Sequence, residues 1–576
     1  MGLNSGYRSY DIRPFLIVAI LAAGLSGCSG RGASRIASIS KAEFTGGQSS
    51  GNSPVTDIEP VDLFEVYHLP HLRDARYGPL GGALVHLQIT KRAKDLDLIG
   101  KSAIRAWESV PALAGLADEL EIHATQETEF RGSKSSELNA LLTGGGARSV
   151  RVQSAALEID QPLRIAGSGI RLDLGNAVLR GATALQYLVR IENANGIDLR
   201  GGRFLGGDSG VLIHNSQRIR ISGITIHGLG GAGIVISSSN AIAVRGGYIS
   251  GLKYAGIILH RGVTGSVIEE NRIEDGIGTP NLAAAILLTD REVDLAADSR
   301  AIYGPESYGV LQQPLATRRH PPSGNLIRAN RLVRNQAGGV YSDGGVKNVI
   351  ASNLIAANAK EGICLDDASV ANVVVANVVR RNGSRWGEPD VVLKMETIEH
   401  SGRLADGTPA AKVPGISLDN ALYNIVFQNT VEDNYGGGIK LVRTSLFNLI
   451  GMNTLVANAV GSSEKFHYFG IELGAAPGDF TTRELDITPS RGNIVFSNMI
   501  RGPHYAGIYF GTDCDQNDVF DNVILGATKW ALESVTEMPN TTVNNLTNQP
   551  SRNVSAGLDP NLFVSARAVR DEHDSP

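Results

Sequence analysis

Little in this chain speaks for long helices, a disulfide framework or nucleic-acid binding. Of its 576 residues only 6% are aromatic, three are cysteine, and the formal net charge is −5. That slight acidity leaves no basic stripe to track a phosphate backbone, which sets nucleic acid aside as a partner. Three cysteines cannot staple a chain of this length, and Cys364 and Cys514 fall several repeats apart, so both are expected as free thiols. The few aromatics stand against 68 glycines, a balance that points to many tight turns. With 42% hydrophobic residues the chain nevertheless has the means to bury a sizeable core.

The apolar run Phe15 to Leu25 follows Arg8 and Arg13 and is short for a bilayer span, which takes about 20 residues. It ends in Leu25-Ser26-Gly27-Cys28, which resembles the bacterial lipobox. The resemblance implies a signal peptide over residues 1–28, cleavage before Cys28 and lipidation of that cysteine. Each acyl CH₂ buried in a membrane contributes roughly 0.8 kcal/mol. Ser29 after the cysteine, rather than aspartate, implies an outer-membrane lipoprotein facing the periplasm or the cell surface. Residues 29–60, rich in Ser, Gly and Ala, read as a flexible tether, and 61–132 as an accessory or capping region. His68-Leu69-Pro70-His71 in that region lacks a third ligand nearby and reads as ordinary histidines.

What the chain does have is a ladder. Two asparagines five positions apart recur as Asn325/Asn330, Asn348/Asn353, Asn372/Asn377, Asn424/Asn429, Asn448/Asn453, Asn493/Asn498 and Asn517/Asn522. Most steps between first asparagines are 23 or 24 residues, and the two exceptions, 52 and 45, are near doubles. Such a period means a solenoid coil. The asparagines are expected where turns need left-handed geometry or side-chain bonding, with their amides stacked along the axis. Ser135 to Leu142 reads as a short N-capped helix covering the open end of the stack, and residues 536–576 as a C-terminal cap and loose tail.

A second column begins with glycine and continues as an alternating strand. Gly210-Val211-Leu212-Ile213-His214, Gly233-Ile234-Val235-Ile236-Ser237 and Gly256-Ile257-Ile258-Leu259-His260-Arg261 open it, and Ala285-Ile286-Leu287-Leu288-Thr289 continues it. Gly339-Val340-Tyr341-Ser342-Asp343, Gly362-Ile363-Cys364-Leu365-Asp366-Asp367, Gly415-Ile416-Ser417-Leu418-Asp419, Gly438-Ile439-Lys440-Leu441-Val442-Arg443 and Gly470-Ile471-Glu472-Leu473 follow. Period-two alternation turns the second and fourth residues inward and the third and fifth outward. The outward third positions are apolar through Leu212, Val235, Ile258 and Leu287, which suggests a cover, with the N-terminal region a candidate. From Gly339 onward they turn polar.

The helix, the strand-rich entry and about ten alignable coils over residues 133–535 resemble the pectate-lyase-like superfamily. That resemblance implies an all-β, right-handed parallel β-helix. Its members include hydrolases, lyases, epimerases, tailspikes and adhesins, so the fold leaves the activity open. Asp343 followed one coil later by Asp366 and Asp367 is similar to the polygalacturonase family, although here the pair ends the exposed strand and the Gly-His-Gly of that family is absent. Carboxylates on neighbouring coils, about 4.8 Å apart, suit glycoside hydrolysis, with Asp343, Asp366, Asp367 and Asp419 as candidate acids. Stacked so closely, they repel one another when ionised. Alternatively Lys440 and Arg443 serve as base and clamp of a uronate lyase or C5-epimerase, with Asp343, Asp366 and Asp419 holding Ca²⁺. A third reading is a non-catalytic lipoprotein that binds or exports a polysaccharide. Tyr341, Glu472, His260 and Arg261 are candidate substrate contacts, and Trp386, in a long insertion, offers a ring to a sugar. The sequence leaves the oligomeric state open.

Overall fold

A computed structural model describes residues 106, 109–119, 127–143, 147–182, 185–277, 284–290, 320–366, 368–383, 413–442, 445–458, 468–474, 490–511, 514–536, 540–553 and 564–565. The chain winds into a parallel β-solenoid of about 13 turns. A typical coil carries three strands, as in Gly338–Asp343, Val349–Ala351 and Leu354–Ala356, and each pairs in parallel with its counterpart one coil on. The pairing reaches beyond residues 133–535 at both ends. Glu127–Phe130 pairs with Arg148–Val152, and Val564–Ser565 with Leu546–Thr547.

The sequence dictates this through one inward side chain at each short strand. Ile327, Ile350, Val374, Val426, Ile450, Val495 and Val519 stand in register on one face and are all buried in the central core. Each such side chain contributes about 1.5–3 kcal/mol by leaving water. The Gly column has a steric cause. A Cβ on Gly233 would stand 2.5 Å from the Gly256 carbonyl oxygen of the next coil, and one on Gly470 the same distance from that of Gly507. A side chain at either of these two positions would need the neighbouring coil to shift.

The asparagines are buried and bonded as a ladder. The Asn348 backbone N–H and its Nδ2 both donate to Asn372 Oδ1, at 2.9 and 3.1 Å, while Nδ2 also donates to the Pro322 carbonyl. The left-handed geometry expected at these corners falls instead on the residue before each asparagine. Lys347, Ser352, Ala371, Ala376, Tyr423 and Gln428 all have φ between 50° and 58°. This division has a physical reason: the turn residue points its side chain away, and the next residue can then turn its amide along the axis. A third ladder, five positions further on, joins Asn335, Asn358, Asn382, Asn434 and Asn458.

Helix α1 (Val110–Glu119) packs with Ala106 against Val267 and Leu326 on the face beside the Gly column, and residues 61–105 of the expected N-terminal cover lie outside the described residues. Leu212, Val235, Ile258 and Leu287 are buried and cluster with Tyr187, Ala232 and Ala255. Helix α2 (Ser135–Leu142) does plug the core through Leu138 and Leu142, but no side chain of its own caps it. Asp160, from the first coil, accepts from the Ser136 N–H at 3.0 Å and from both serine hydroxyls, which holds its carboxyl down at about 2. The cap is tertiary because the helix is a lid fitted to that coil. Cys364 and Cys514 are free thiols. Among the described residues no helix is long and apolar enough to cross a membrane.

Candidate functional site

The outward positions of the Gly column form two rows. In the third-position row, strand pairing places Leu287, Tyr341, Cys364, Ser417, Lys440 and Glu472 side by side on successive coils. The fifth-position row runs Ser237, His260, Thr289, Asp343, Asp366. Asp419 extends it, following Leu418 as Asp366 follows Leu365 in the paired strands. Parallel register carries each of these residues to its place, since every strand starts from the same corner, glycine in most coils and Ala285 in the Thr289 strand.

Outward does not mean exposed. Asp343 is 1% accessible and accepts a hydrogen bond of 2.9 Å from Thr289 Oγ1. His260 is also buried, its Nδ1 3.1 Å from Ser237 Oγ, which places it as a prop of the strand end rather than at the surface. Arg261 beside it is half-buried and sits at φ 32°. Lys440 and Glu472 are buried with Nζ and Oε1 3.6 Å apart, so the candidate base is one half of an ion pair. Asp366 and Asp419 remain half-exposed. The Tyr341 hydroxyl donates to Asp366 Oδ2. Burial first, then the neighbouring Asp366, Cys364 and Asp343, hold the Tyr341 phenol well above its ordinary range, so it remains a donor across the physiological range.

Asp367, Arg443, Trp386 and Cys28 lie outside the described residues. Among the described residues no three Asp, Glu, His or Cys side chains converge as a metal-ligand set. Sequence reasoning missed Thr289 as the Asp343 partner, though it occupies the fifth position of its own repeat. It also missed Glu533 and Arg552, which continue the third-position row after Tyr509. The signal was present in Ala531-Leu532-Glu533, but alanine replaces the glycine that marks the column.

Fold and rows together define a parallel β-helix carrying an acidic strip on one sheet face. Residues 187–385 match the family described as a right handed beta helix region, which gives the coil its hand. Residues 323–465 match the family described as periplasmic copper-binding protein (NosD). No curated protein matches the chain. Similar solved structures include the mannuronan C-5 epimerase AlgE6 A-module of Azotobacter vinelandii, 12% identical over 76% of this chain and 96% of that one, with a TM-score of 0.41. The catalytic domain of a GH87 alpha-1,3-glucanase in complex with nigerose is 12% identical over 77% and 68%, TM-score 0.38. PfbA, a surface adhesin of Streptococcus pneumoniae, is 11% identical over 74% and 88%, TM-score 0.38.

Proposed function

We propose that this chain processes a polysaccharide in the cell envelope as a glycoside hydrolase, with Asp366 and Asp419 as its carboxylate pair. The observation that carries the reading is their exposure: of the three stacked aspartates these two are half-open, while Asp343 is closed. They stand on successive coils, about 4.8 Å apart along the axis, near the roughly 5 Å separation of retaining enzymes. Asp419 as the acid protonates the glycosidic oxygen while Asp366 attacks the anomeric carbon. Water activated by Asp419 then releases the sugar. Tyr341 orients Asp366 through its hydroxyl, and Asp343, held by Thr289, supports the strand behind it. The lipobox-like segment and the similarity of residues 323–465 to a periplasmic family support the envelope location. The copper of that family's description finds no ligand set among the described residues and is not carried over.

The test is turnover by the full chain on a panel of polysaccharides, with and without chelator. Asp366→Asn and Asp419→Asn are each expected to lower turnover by about 10²–10⁴-fold while glycan binding persists. Wild-type turnover in Asp366→Asn sinks the assignment. An unsaturated, chelator-sensitive product favours the lyase or epimerase reading with Lys440 and Arg443. Binding with no turnover of any glycan favours a binding or export protein.

A further inference from the structure

The outward row continues past Glu472 through Tyr509, Glu533 and Arg552, each in register with the last. Along the leading edge of the same strands, successive coils present aromatic rings. Tyr435 lies 6.3 Å from Tyr468 between centroids, and Phe469 stacks on Tyr509 at 4.1 Å and meets Tyr505 edge-on at 6.2 Å. Two cations top the row, Lys529 Nζ at 5.3 Å from the Tyr505 centroid and the Arg552 guanidinium carbon at 5.7 Å from that of Trp530.

The accessibility of this strip is that of a platform rather than a core. Tyr435, Tyr505 and Trp530 are half-exposed, and Lys529 and Arg552 are exposed. The Trp530 indole N–H is buried with no acceptor among the described residues, a condition that native proteins usually relieve. The carboxylate set among these cations, Glu533, is buried 3.8 Å from Arg552. Burial pushes its carboxyl up, outweighing Arg552 and Lys529, and one carboxylate stands against two cations.

We infer that this strip is a distal binding subsite for an acidic glycan, whose rings lie on Tyr505 and Trp530 and whose anionic groups face Lys529 and Arg552. The inference rests on the polysaccharide reading above and adds the charge of the substrate and its path along the axis. The rings have the flat apolar faces that sugars stack on, and the cations supply the complementary charge. One coil rises about 4.8 Å, close to the length of one pyranose in an extended chain. Four strand pairings separate Asp419 from the Trp530 strand, which at that rise is about 19 Å. A glycan crossing both therefore meets the strip several units from the reacting bond.

Binding of the full chain to polygalacturonate, to its carboxyl-reduced counterpart and to neutral dextran tests this. The unmodified protein is expected to prefer the polyuronate. Trp530→Ala and the double variant Lys529→Ala/Arg552→Ala are each expected to weaken that binding about tenfold, with circular dichroism unchanged. The double variant guards against a fold defect in Trp530→Ala, since both cations are exposed. Equal binding of the reduced or neutral glycan overturns the charge assignment, and undiminished binding in both variants overturns the subsite. Strip-dependent binding without turnover of any glycan defeats the hydrolase reading and leaves the subsite standing.

Discussion

Two stretches of one sheet share backbone, register and glycine corner, yet their outward third positions have opposite characters. In the earlier coils Leu212, Val235, Ile258 and Leu287 form one buried apolar cluster, and Tyr341 packs against it. In the later coils Cys364, Ser417, Lys440 and Glu472 occupy the same row, with Asp366 and Asp419 beside them. Inward positions hardly differ between the two stretches, so the coil is specified from inside. The outward row is then open to carry either a closed surface or chemistry.

This contrast can be broken from either side. The largest effect is expected from Ile258→Asp, which places an unpaired carboxylate inside the sealed row and should cost about 4–5 kcal/mol in denaturant unfolding. A cost within about 0.5 kcal/mol, typical of surface changes, would show that the row is not closed. Asn377→Ala attacks the scaffold common to both stretches. It strips the acceptor from the Asn353 backbone N–H and Nδ2 and removes one donor to the Ile350 carbonyl, at an expected cost of about 2–3 kcal/mol.

His504 gives a pH-dependent version of the same measurement. Its ring is buried with no partner for either nitrogen among the described residues, and burial lowers its pKa from 6.5 to about 4. The neutral ring is the folded form, so this contribution is intact above pH 6.5 and is lost as pH falls toward 4. The expected loss is about 3 kcal/mol, and His504→Leu should flatten it. An unchanged pH profile in that variant would place the acid sensitivity elsewhere. The smallest effect belongs to Tyr341→Phe, where loss of the hydroxyl donated to Asp366 should cost about 1 kcal/mol in denaturant unfolding.

The coil was legible because its causes repeat in the chain: glycine where the next carbonyl leaves no room, a β-branched residue inward, asparagine at the corners. The third asparagine series was equally periodic and was missed because it stops at Asn458, short of the other two. Alternation correctly turned Asp343 and His260 outward but said nothing of depth, since burial of an outward residue depends on what the rest of the chain lays over it. The Asp160 cap was hidden for a related reason. Its partners Ser135 and Ser136 are 25 and 24 residues away, and only the closed coil brings them together.

The amide ladder also behaves as a ruler that ignores the chain between its marks. Asn372 reaches Asn424, 52 residues on, through bonds of 2.9 and 3.0 Å, matching the 2.9 and 3.1 Å by which Asn348 reaches Asn372 over 24. The segments 291–319 and 384–412 join the stack at opposite ends of the Gly-column strands, one after Asp290 and the other before Val413. Spacing between the strands of Asp366 and Asp419 is thus set by the corners at Asn372, Asn377 and Asn382 and not by the length of segment 384–412. Those two junctions are ports, at which a segment of any length can be exchanged while the carboxylates keep their separation.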